Sequence, residues 1–266
     1  MSIDQLAGQV AMVTGANRGI GRQLSQDLAS AGALVILTAR DVHSLVEVSL
    51  AIRAAGGLCE SVSLDVTRED QVRHVFEDAI SRHGKIDLLI NNAGIGNGTK
   101  YPWDMPVEDF WAVQEVNLRG VYLCSQAALR HMTKRRSGRI IDVGSMIAAK
   151  PNPGATAYAV SKTSLFRLNS CFAEAAKEFD VSIFIISPGL VATDMTKGLS
   201  FARIPADQWV PIEKSGALVV SLASGIADKL SGRFIRATDD LEKLIKHADE
   251  IIEQDLQTLE IRLFEG

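Results

Sequence analysis

A tyrosine and a lysine four residues apart, Tyr158 and Lys162, have the types and spacing that proton-transfer chemistry uses. On a helix, residues at positions i and i+4 project from the same face. A free phenol has a pKa of about 10 and is a poor acid or base at neutral pH, but a nearby ammonium group lowers that pKa. Ser145, which follows an apolar segment, could hydrogen-bond an oxygen whose charge changes during a reaction. The alternative is a surface Tyr–Lys pair without a chemical role.

A glycine-rich run from Thr14 to Gly21 is the second feature that could do chemistry, because it directly follows the apolar segment Val10–Thr14. Its glycines, Gly15, Gly19 and Gly21, have the spacing GxxxGxG. Such a turn between a strand and a helix lets backbone N–H groups approach a pyrophosphate at the positive end of the helix dipole. The alternative is a tight turn that only allows close packing of the helix. Its place after an apolar segment favours nucleotide binding.

Short apolar runs alternate with longer amphipathic segments along the chain. The apolar runs predict buried strands at Val10–Thr14, Leu34–Thr38, Leu58–Leu64, Ile86–Ile90, Arg139–Val143 and Val181–Ser187. The amphipathic segments predict helices at Gly19–Ala31, Asp41–Ala55, Arg68–Arg82, Pro106–Lys134 and Ala157–Phe179. This alternation implies right-handed strand–helix–strand units. We therefore predict an α/β fold, a single-domain doubly wound parallel sheet of the Rossmann type with helices on both faces.

The chain continues beyond this alternating part. We expect residues 1–238 to form the dinucleotide-binding and catalytic domain, and residues 239–266 to form a C-terminal helical extension of the same domain. Apolar residues of the extension recur at steps of three and four, which predicts an added C-terminal helix over Asp239–Leu263. Thr238 or Asp239 could serve as its N-cap. We expect the helix to pack on the body of the protein or on a neighbouring subunit, because exposing its apolar stripe to water is costly.

The composition argues against several classes of protein. The 266 residues are 47% hydrophobic and 23% charged, as in an ordinary soluble globular domain. The formal net charge is −4 and no basic block stands out, so we expect no nucleic-acid partner. No apolar run reaches the roughly 18 residues of a membrane span, so we expect no membrane partner. The five histidines lack metal-ligand spacing and the three cysteines lie far apart, so we expect a cytoplasmic protein without a metal.

These features together resemble the short-chain dehydrogenase/reductase family, in its branch of about 250 residues. The resemblance covers residues 6–236 and includes the glycine loop TGANRGIG. It also includes Ser145, Tyr158 and Lys162 in the family's order and spacing, with Asn117 in EVNLRG at the position of the family's catalytic asparagine. Three further segments match in order, namely Asp65-Val66, Asn91-Asn92-Ala93-Gly94, and Ser187-Pro188-Gly189 with Thr193 downstream.

The resemblance implies a hydride transfer between a nicotinamide ring and a carbonyl carbon, with Tyr158 as the proton donor and, in reverse, the base. It implies that Lys162 lowers the Tyr158 pKa and holds the nicotinamide ribose, and that Ser145 positions the substrate oxygen. Asn117 would anchor a water that links Lys162 to solvent. The residues implied to bind the cofactor are Gly15, Asn17, Arg18, Gly19, Ile20, Gly21, Arg40, Asp65, Val66, Asn92, Ala93, Gly94, Tyr158, Lys162, Pro188, Gly189 and Thr193.

The end of the second predicted strand bears on the choice between NADP and NAD. NAD-binding sites place an acidic residue there, and its carboxylate repels a 2′-phosphate. In this chain the position is Ala39, followed by Arg40, and Arg18 of the glycine loop should lie on the same side of the adenosine. Two guanidinium groups can grip a phosphate, so we expect NADP(H) rather than NAD. The alternative is that Arg40 is only solvated, while Asp41 caps the next helix.

We therefore expect an NADP(H)-dependent oxidoreductase that transfers a hydride between nicotinamide and a carbonyl or secondary alcohol. One alternative is a catalytically idle, nucleotide-sensing member of the family, and another is an NAD-dependent alcohol dehydrogenase. An epimerase or dehydratase is disfavoured by the glycine spacing. The segment Val191–Pro211, where substrate specificity normally resides, contains Met195, Leu199, Phe201 and Trp209 and few charges. It suits a small or apolar carbonyl substrate.

The two longest predicted helices, Pro106–Lys134 and Ala157–Phe179, lead us to expect a homodimer or homotetramer. Their apolar residues exceed what one face toward the sheet needs, and large exposed apolar patches usually mark interfaces. These residues are Val113, Val116, Val121, Leu123, Leu165, Leu168, Phe166 and Phe172. The alternative is that all of them belong to the core.

Overall fold

The computed structural model describes residues 5–96, 98, 100–196 and 205–261, over which strands and helices alternate. The strands are Val10–Thr14 (β1), Leu34–Ala39 (β2), Leu58–Ser63 (β3), Leu88–Asn91 (β4), Gly138–Val143 (β5), Val181–Ser187 (β6) and Phe234–Arg236 (β7). The helices are Gly19–Ser30 (α1), Val46–Ala54 (α2), Glu69–His83 (α3), Val107–Gln114 (α4), Gly120–Arg135 (α5), Thr156–Ala176 (α6), Ile212–Ala223 (α7), Leu241–Lys246 (α8) and Ala248–Glu253 (α9). Every strand predicted from the sequence is present, within a few residues of its predicted bounds.

Within the described part of the chain, seven strands form one sheet in the order β3-β2-β1-β4-β5-β6-β7, and every neighbouring pair is parallel. The chain runs outward from β1 to β3, then returns to place β4 beside β1 and continues outward to β7. A reversal of strand order opens a crevice at the carboxyl ends of the two central strands. The predicted doubly wound Rossmann-type fold is confirmed.

Helices cover both faces of the sheet, because successive side chains of a strand point to opposite faces. In β1, Ala11 and Val13 pack with residues of α1, α2 and α7, whereas Val10 and Met12 pack with residues of α3, α5 and α6. All four side chains are buried. The hydrophobic effect thus holds a helical layer on each face, and it leaves the carboxyl edge of the sheet free for polar loops.

The predicted helix Pro106–Lys134 is interrupted. A π-helical turn at Glu115–Arg119 separates α4 from α5, with the N–H of Gly120 bonded to the carbonyl oxygen of Glu115. The turn contains Asn117, whose side chain bonds to the backbone of a loop in another part of the chain. Because π turns inside α-helices are frequent at functional sites, the interruption is itself a pointer to function. Helix α7 and the three-residue strand β7 were not predicted.

The predicted single helix over Asp239–Leu263 is wrong in its extent. The chain forms two short helices, α8 and α9, which meet at His247, and residues 254–261 are not helical. The N-cap is Asp240, whose side chain accepts the N–H of Lys243 at 3.0 Å, and neither Thr238 nor Asp239 has this role. Residues 262–266 lie outside the described residues.

Contacts with the strand β7 explain why the C-terminal helix ends early. The carbonyl oxygen of Gln257 accepts the N–H of Phe234 at 2.8 Å, so the chain turns back along the edge strand. The Arg233 guanidinium bonds to the Asp255 carboxylate and to a backbone carbonyl oxygen in the same turn. Asp255 and Gln257 both have positive φ, which a continuing helix does not allow. The hydrogen bond with β7 thus ends the helix, although the spacing of the apolar residues predicts that it continues.

The extension nevertheless packs on the body of the protein, as predicted. Ala248 and Ile251 of α9 are buried and join the core cluster that contains Leu230 and Ile235. Among the described residues, no helix is long and apolar enough to cross a bilayer.

The apolar residues of the two long predicted helices belong mostly to the core, so the reason given for an interface was wrong. The buried ones are Val113, Val121, Leu123, Leu165 and Phe166, and the partly buried ones are Val116, Leu168 and Phe172. Other apolar side chains of these helices are exposed, among them those of Val107, Trp111 and Tyr122 on α4 and α5. These three residues, called the α4–α5 patch below, are the apolar surface that an interface on these helices would use.

Replacing Ile251 by Ala should lower the free energy of unfolding by about 2–4 kcal/mol, since a buried isoleucine loses its transfer free energy and leaves a cavity. The neighbouring residue gives a matched control, because the Ile252 side chain is 39% exposed. Ile252→Ala should cost less than about 1 kcal/mol. Urea denaturation followed by circular dichroism measures both. Equal losses from the two variants would contradict the packing described for α9.

Candidate active site

A cleft of about 670 Å³ lies at the carboxyl edge of the sheet, where the strand order reverses. It brings together most of the residues that the sequence predicted. These are Gly15, Asn17, Arg18, Gly19, Ile20, Arg40, Asp65, Val66, Asn92, Ala93, Gly94, Ser145, Tyr158, Lys162, Pro188, Gly189 and Thr193. Two predicted residues, Gly21 and Asn117, are not among the residues that line the cleft.

The glycine loop between β1 and α1 is shaped for close approach of a ligand to the backbone. Gly15 and Gly19 have φ of +63° and +53°, a conformation that side chains disfavour. A Cβ at Gly21 would fall on the carbonyl oxygen of Gly15 and on the Asn92 amide. The N-cap of α1, Arg18, makes no side-chain capping bond, and the first turn has no acidic residue. The first N–H groups of α1 can therefore bind an anion such as a pyrophosphate.

Hydrogen bonds join this loop to the end of β4. The Thr14 hydroxyl oxygen accepts the N–H groups of Asn92 and Ala93, each at 3.0 Å, and donates to the carbonyl oxygen of Ile90 at 3.3 Å. The Asn92 side-chain amide donates to the carbonyl oxygens of Thr14 at 2.8 Å and Gly15 at 3.0 Å. The glycine loop and the segment after β4 are therefore fixed to each other.

The end of β2 has the arrangement that the cofactor argument predicted. Ala39 is the last residue of the strand, Arg40 follows it with an exposed side chain, and both line the cleft. No partner of the Arg40 guanidinium is found among the described residues. The Asp41 carboxylate accepts the N–H of His43 at 2.9 Å and caps a short helical turn. Asp41 is thus a capping residue, as the alternative interpretation had it.

Arg18 is engaged differently from what the sequence predicted. Its guanidinium lies 3.3 Å from the carboxylate of Asp194, which belongs to the segment after β6, and its side chain is 70% exposed. The prediction paired Arg18 with Arg40 around one phosphate. A phosphate bound there would have to share Arg18 with Asp194. Such an exposed ion pair is weak, typically below about 1 kcal/mol, so competition by a phosphate is feasible.

Tyr158, Lys162 and Ser145 meet at the other end of the cleft. Tyr158 and Lys162 lie one turn apart on α6, with the lysine Nζ 5.6 Å from the centre of the tyrosine ring. The Lys162 Nζ donates to the carbonyl oxygen of Val143 at 2.7 Å. Ser145 follows β5 and lines the cleft with Tyr158, whose pKa it affects, and its hydroxyl accepts the N–H of Ile147 at 3.3 Å. The predicted catalytic trio is therefore assembled.

Burial controls the protonation of this trio. It raises the pKa of Tyr158, and the hydrogen bond with Ser145 opposes that shift. It also lowers the pKa of Lys162 to about 8, against the charge of Asp142. The predicted lowering of the Tyr158 pKa by Lys162 is therefore wrong, because desolvation of the phenolate raises that pKa and the side chain that opposes the shift is Ser145. At neutral pH Tyr158 is a phenol, the form that can donate a proton.

Asn117 joins the helix α6 to the backbone of Ile95, which follows β4. Its side chain accepts the N–H of Ile95 at 2.8 Å and donates to the carbonyl oxygen of Ile95 at 2.9 Å and to the Ser161 hydroxyl at 3.0 Å. Ser161 in turn donates to the carbonyl oxygen of Tyr158 at 2.8 Å. Both amide hydrogens of Asn117 are therefore bonded within the protein. The residue fixes the helical turn that carries Tyr158 and Lys162.

Apolar side chains also line the cleft, among them those of Ile95, Val191 and Met195. Leu199 and Phe201, which the sequence placed in this region, lie outside the described residues. The sequence analysis did not single out Asp142, a buried carboxylate in β5 whose charge acts on Lys162. A charged residue within the apolar run RIIDV was the available signal. Among the described residues, no cluster of His, Cys, Asp or Glu could hold a metal ion.

The comparisons with known proteins agree with this geometry. A family model for the short chain dehydrogenases matches residues 9–203. The chain is 31% identical over 243 residues to the 3-oxoacyl-(acyl-carrier-protein) reductase FabG of Haemophilus influenzae, covering 89% of this chain and 99% of that protein.

Solved structures agree as well. The short-chain type dehydrogenase/reductase from Mycobacterium marinum has a TM-score of 0.83 at 31% identity, over 88% of this chain and 95% of that one. The gluconate 5-dehydrogenase from Burkholderia cenocepacia J2315, in complex with NADP and tartrate, has a TM-score of 0.82 at 28% identity, over 89% and 96%. With the family model matching most of its length, the chain belongs to the short-chain dehydrogenase family of oxidoreductases.

Proposed function

We propose that this oxidoreductase uses NADP(H) to interconvert a carbonyl compound and the corresponding secondary alcohol. The observation that carries the proposal is the position of Tyr158 and Ser145, which line the same cleft as the glycine loop. A dinucleotide bound with its pyrophosphate at the loop could extend along the cleft to these side chains. Of the alternatives, a nucleotide-sensing protein without catalysis would not need this trio of side chains.

The residues present fit a nicotinamide dinucleotide. The backbone of the glycine loop would hold the pyrophosphate, Asp65 and Val66 would contact the adenine, and Arg40 would bind the 2′-phosphate. The ammonium group of Lys162 would hold ribose hydroxyls near the nicotinamide. When bound there, NADPH supplies the hydride, and NADP accepts it in the reverse direction.

The side chains of the protein would move the proton and stabilise charge. Tyr158, a phenol at neutral pH, would donate its proton to the carbonyl oxygen, while the Ser145 hydroxyl holds the same oxygen. The ammonium of Lys162 would stabilise the negative charge that then remains on the phenolate. In alcohol oxidation the phenolate would take the proton back. A positioned acid of this kind contributes about a hundred- to ten-thousandfold in rate.

The apolar side chains that line the cleft support a small or aliphatic carbonyl substrate. The side chains of Ile95, Val191 and Met195 carry no charge that could bind a substrate carboxylate. The reductase and the gluconate 5-dehydrogenase described above suggest two candidate substrates, a 3-oxoacyl thioester and a keto-gluconate. A 3-oxoacyl thioester suits the apolar lining better than a keto-gluconate, which carries a carboxylate.

Assembly and location are part of the same proposal. The α4–α5 patch has exposed fractions of 64% at Val107, 59% at Trp111 and 40% at Tyr122, and it favours a homodimer or homotetramer. All three cysteines are free, which supports a cytoplasmic location, where thiols stay reduced.

Replacing Tyr158 by Phe should lower kcat by at least about a hundredfold, because the ring stays packed while the proton donor is lost. The matched control is Tyr122→Phe, which removes the hydroxyl of an exposed tyrosine on α5. It should leave kcat unchanged. Cofactor affinity, measured by quenching of protein fluorescence, should survive in both variants. If Tyr158→Phe kept more than about a tenth of the activity, Tyr158 would not be the acid.

Replacing Ala39 by Asp together with Arg40 by Ala should move the cofactor preference from NADPH toward NADH. One charge-assisted contact to phosphate contributes about 1.5–3 kcal/mol, which is roughly ten- to a hundredfold in discrimination, and the new carboxylate adds repulsion. The ratio of kcat/KM for the two cofactors measures the effect. A wild-type enzyme that already prefers NADH would show that the argument at Ala39 is wrong.

Light scattering at micromolar concentration should give a mass at least twice the 28.7 kDa of the chain. Trp111→Glu combined with Val107→Asp should reduce it to the monomer mass, because charges in an apolar interface are costly to bury. Leu50→Asp is a control on the opposite helical layer, where that side chain is 61% exposed, and it should change nothing. A monomeric wild-type protein would rule out the proposed assembly.

A further inference from the structure

A carboxylate lies in the centre of the sheet, and the reaction described above does not use it. Asp142 of β5 is 1% exposed. Its two oxygens accept hydrogen bonds from the side-chain amides of Asn91 and Asn169, each at 2.8 Å. The Asn91 amide also donates to the Ser125 hydroxyl at 2.9 Å, and the Asn169 amide to the carbonyl oxygen of Phe184 at 2.9 Å. Every direct partner of the carboxylate is therefore neutral.

A buried carboxylate with only neutral partners is costly unless an opposite charge lies in the same low-dielectric layer. That charge is on Lys162. Lys162 and Asn169 lie two turns apart on α6 and project from the same face toward the sheet. The Lys162 Nζ bonds to the carbonyl oxygen of Val143, the residue after Asp142. The ammonium and the carboxylate are thus neighbours in one buried layer without being bonded to each other.

We propose, on the basis of the proposed function, that Asp142 is a positioning residue that keeps Lys162 charged at neutral pH, so that an ammonium group and not a neutral amine lies at the Val143 carbonyl oxygen beside Tyr158. The competing interpretation gives Asp142 a structural role only, as an acceptor that joins β4, β5 and α6 through two asparagines. The two interpretations differ in one measurable property, the protonation of Lys162.

The electrostatics of the layer agree with the proposal. Burial lowers the pKa of Lys162 to about 8, and the negative charge of Asp142 opposes that shift. Burial raises the pKa of Asp142 to about 6, opposed by the two asparagine amides and by Lys162. At neutral pH both groups are therefore mostly charged. Without the carboxylate, the Lys162 pKa would fall further, and a larger fraction of the lysine would be neutral at neutral pH.

Few other titratable groups face this pair among the described residues. From α5 there is the thiol of Cys124, whose pKa is raised to about 12 by burial and by Asp142, so it stays neutral. From α6 there is Tyr158, a phenol at neutral pH. Asn91 of β4 and Phe184 of β6 contribute no charge. Apart from the loss of the titration of Asp142 itself, a change near neutral pH on removal of Asp142 would therefore belong to Lys162.

The test is an NMR titration of the whole protein with isotope-labelled lysine side chains, without cofactor. The signal of Lys162 is assigned as the one missing from the Lys162→Arg variant. In Asp142→Asn the titration midpoint should fall by about one pH unit or more. Ser125→Ala is the matched control, because it removes a hydrogen bond from the same buried network without changing charge. It should lower stability and leave the midpoint in place.

An unchanged midpoint in Asp142→Asn would overturn the proposal in favour of the structural role. If that variant does not fold, Asp142→Thr offers a neutral side chain that suits a strand. The wild-type protein is also decisive by itself, since a Lys162 midpoint below about pH 7 would contradict the proposal. These titrations need no cofactor and no turnover, so their outcome is independent of whether the proposed reaction is correct.

Activity gives a second readout, which rests on the proposed function. The alkaline limb of the kcat profile for carbonyl reduction should move to lower pH in Asp142→Asn, so that the variant loses more activity at about pH 8 than at about pH 6. In Ser125→Ala the profile should keep its position. A uniform loss of activity in Asp142→Asn across the pH range would indicate a structural effect only.

Discussion

The hydrogen bonds that the Thr14 hydroxyl and the Asn92 amide make between the ends of β1 and β4 are the interaction on which the site depends. The strand order reverses between these two strands, so their loops diverge and leave a crevice. Without a cross-link, the glycine loop and the segment after β4 could move independently. The cross-link fixes the glycine loop relative to the end of β4, and β4 pairs with β5, the strand that Ser145 follows. Orientation of this kind is the main contribution of a protein to cofactor chemistry.

Burial determines the protonation of Tyr158, Lys162 and Asp142, which lie between the sheet and α6. A phenol, an ammonium and a carboxylate share that layer, and desolvation shifts each pKa toward the neutral form. For Tyr158 the neutral form is the useful one, whereas for Lys162 it is not. The opposite charges of Lys162 and Asp142 favour each other's ionised form, and neutral amides hold the carboxylate in place. On our proposal, the polar network that joins β4, β5 and α6 therefore also keeps Lys162 charged.

The strand–helix alternation and most of the cleft were predictable, because buried parallel strands are apolar and surface helices have a 3.6-residue period. The glycine loop and the Tyr158–Lys162 pair were also predictable, because the residues of each lie close together in the sequence. Features set by distant contacts were not predictable. The π turn at Asn117 depends on a loop 22 residues earlier, and the early end of the C-terminal helix depends on the edge strand β7. The pairing of Arg18 with Asp194 spans 176 residues, and no local pattern indicates it.

The central claim is that this cleft transfers a hydride from NADPH to a carbonyl carbon. The most direct measurement uses NADPH in which deuterium replaces both hydrogens of the reactive nicotinamide carbon, incubated with a panel of 3-oxoacyl thioesters and small ketones. Mass spectrometry and NMR then locate the label. The account predicts one deuterium on the carbinol carbon of the alcohol, in an amount equal to the NADPH consumed. Tight binding of NADPH with no deuterium in the product of any carbonyl compound would contradict it.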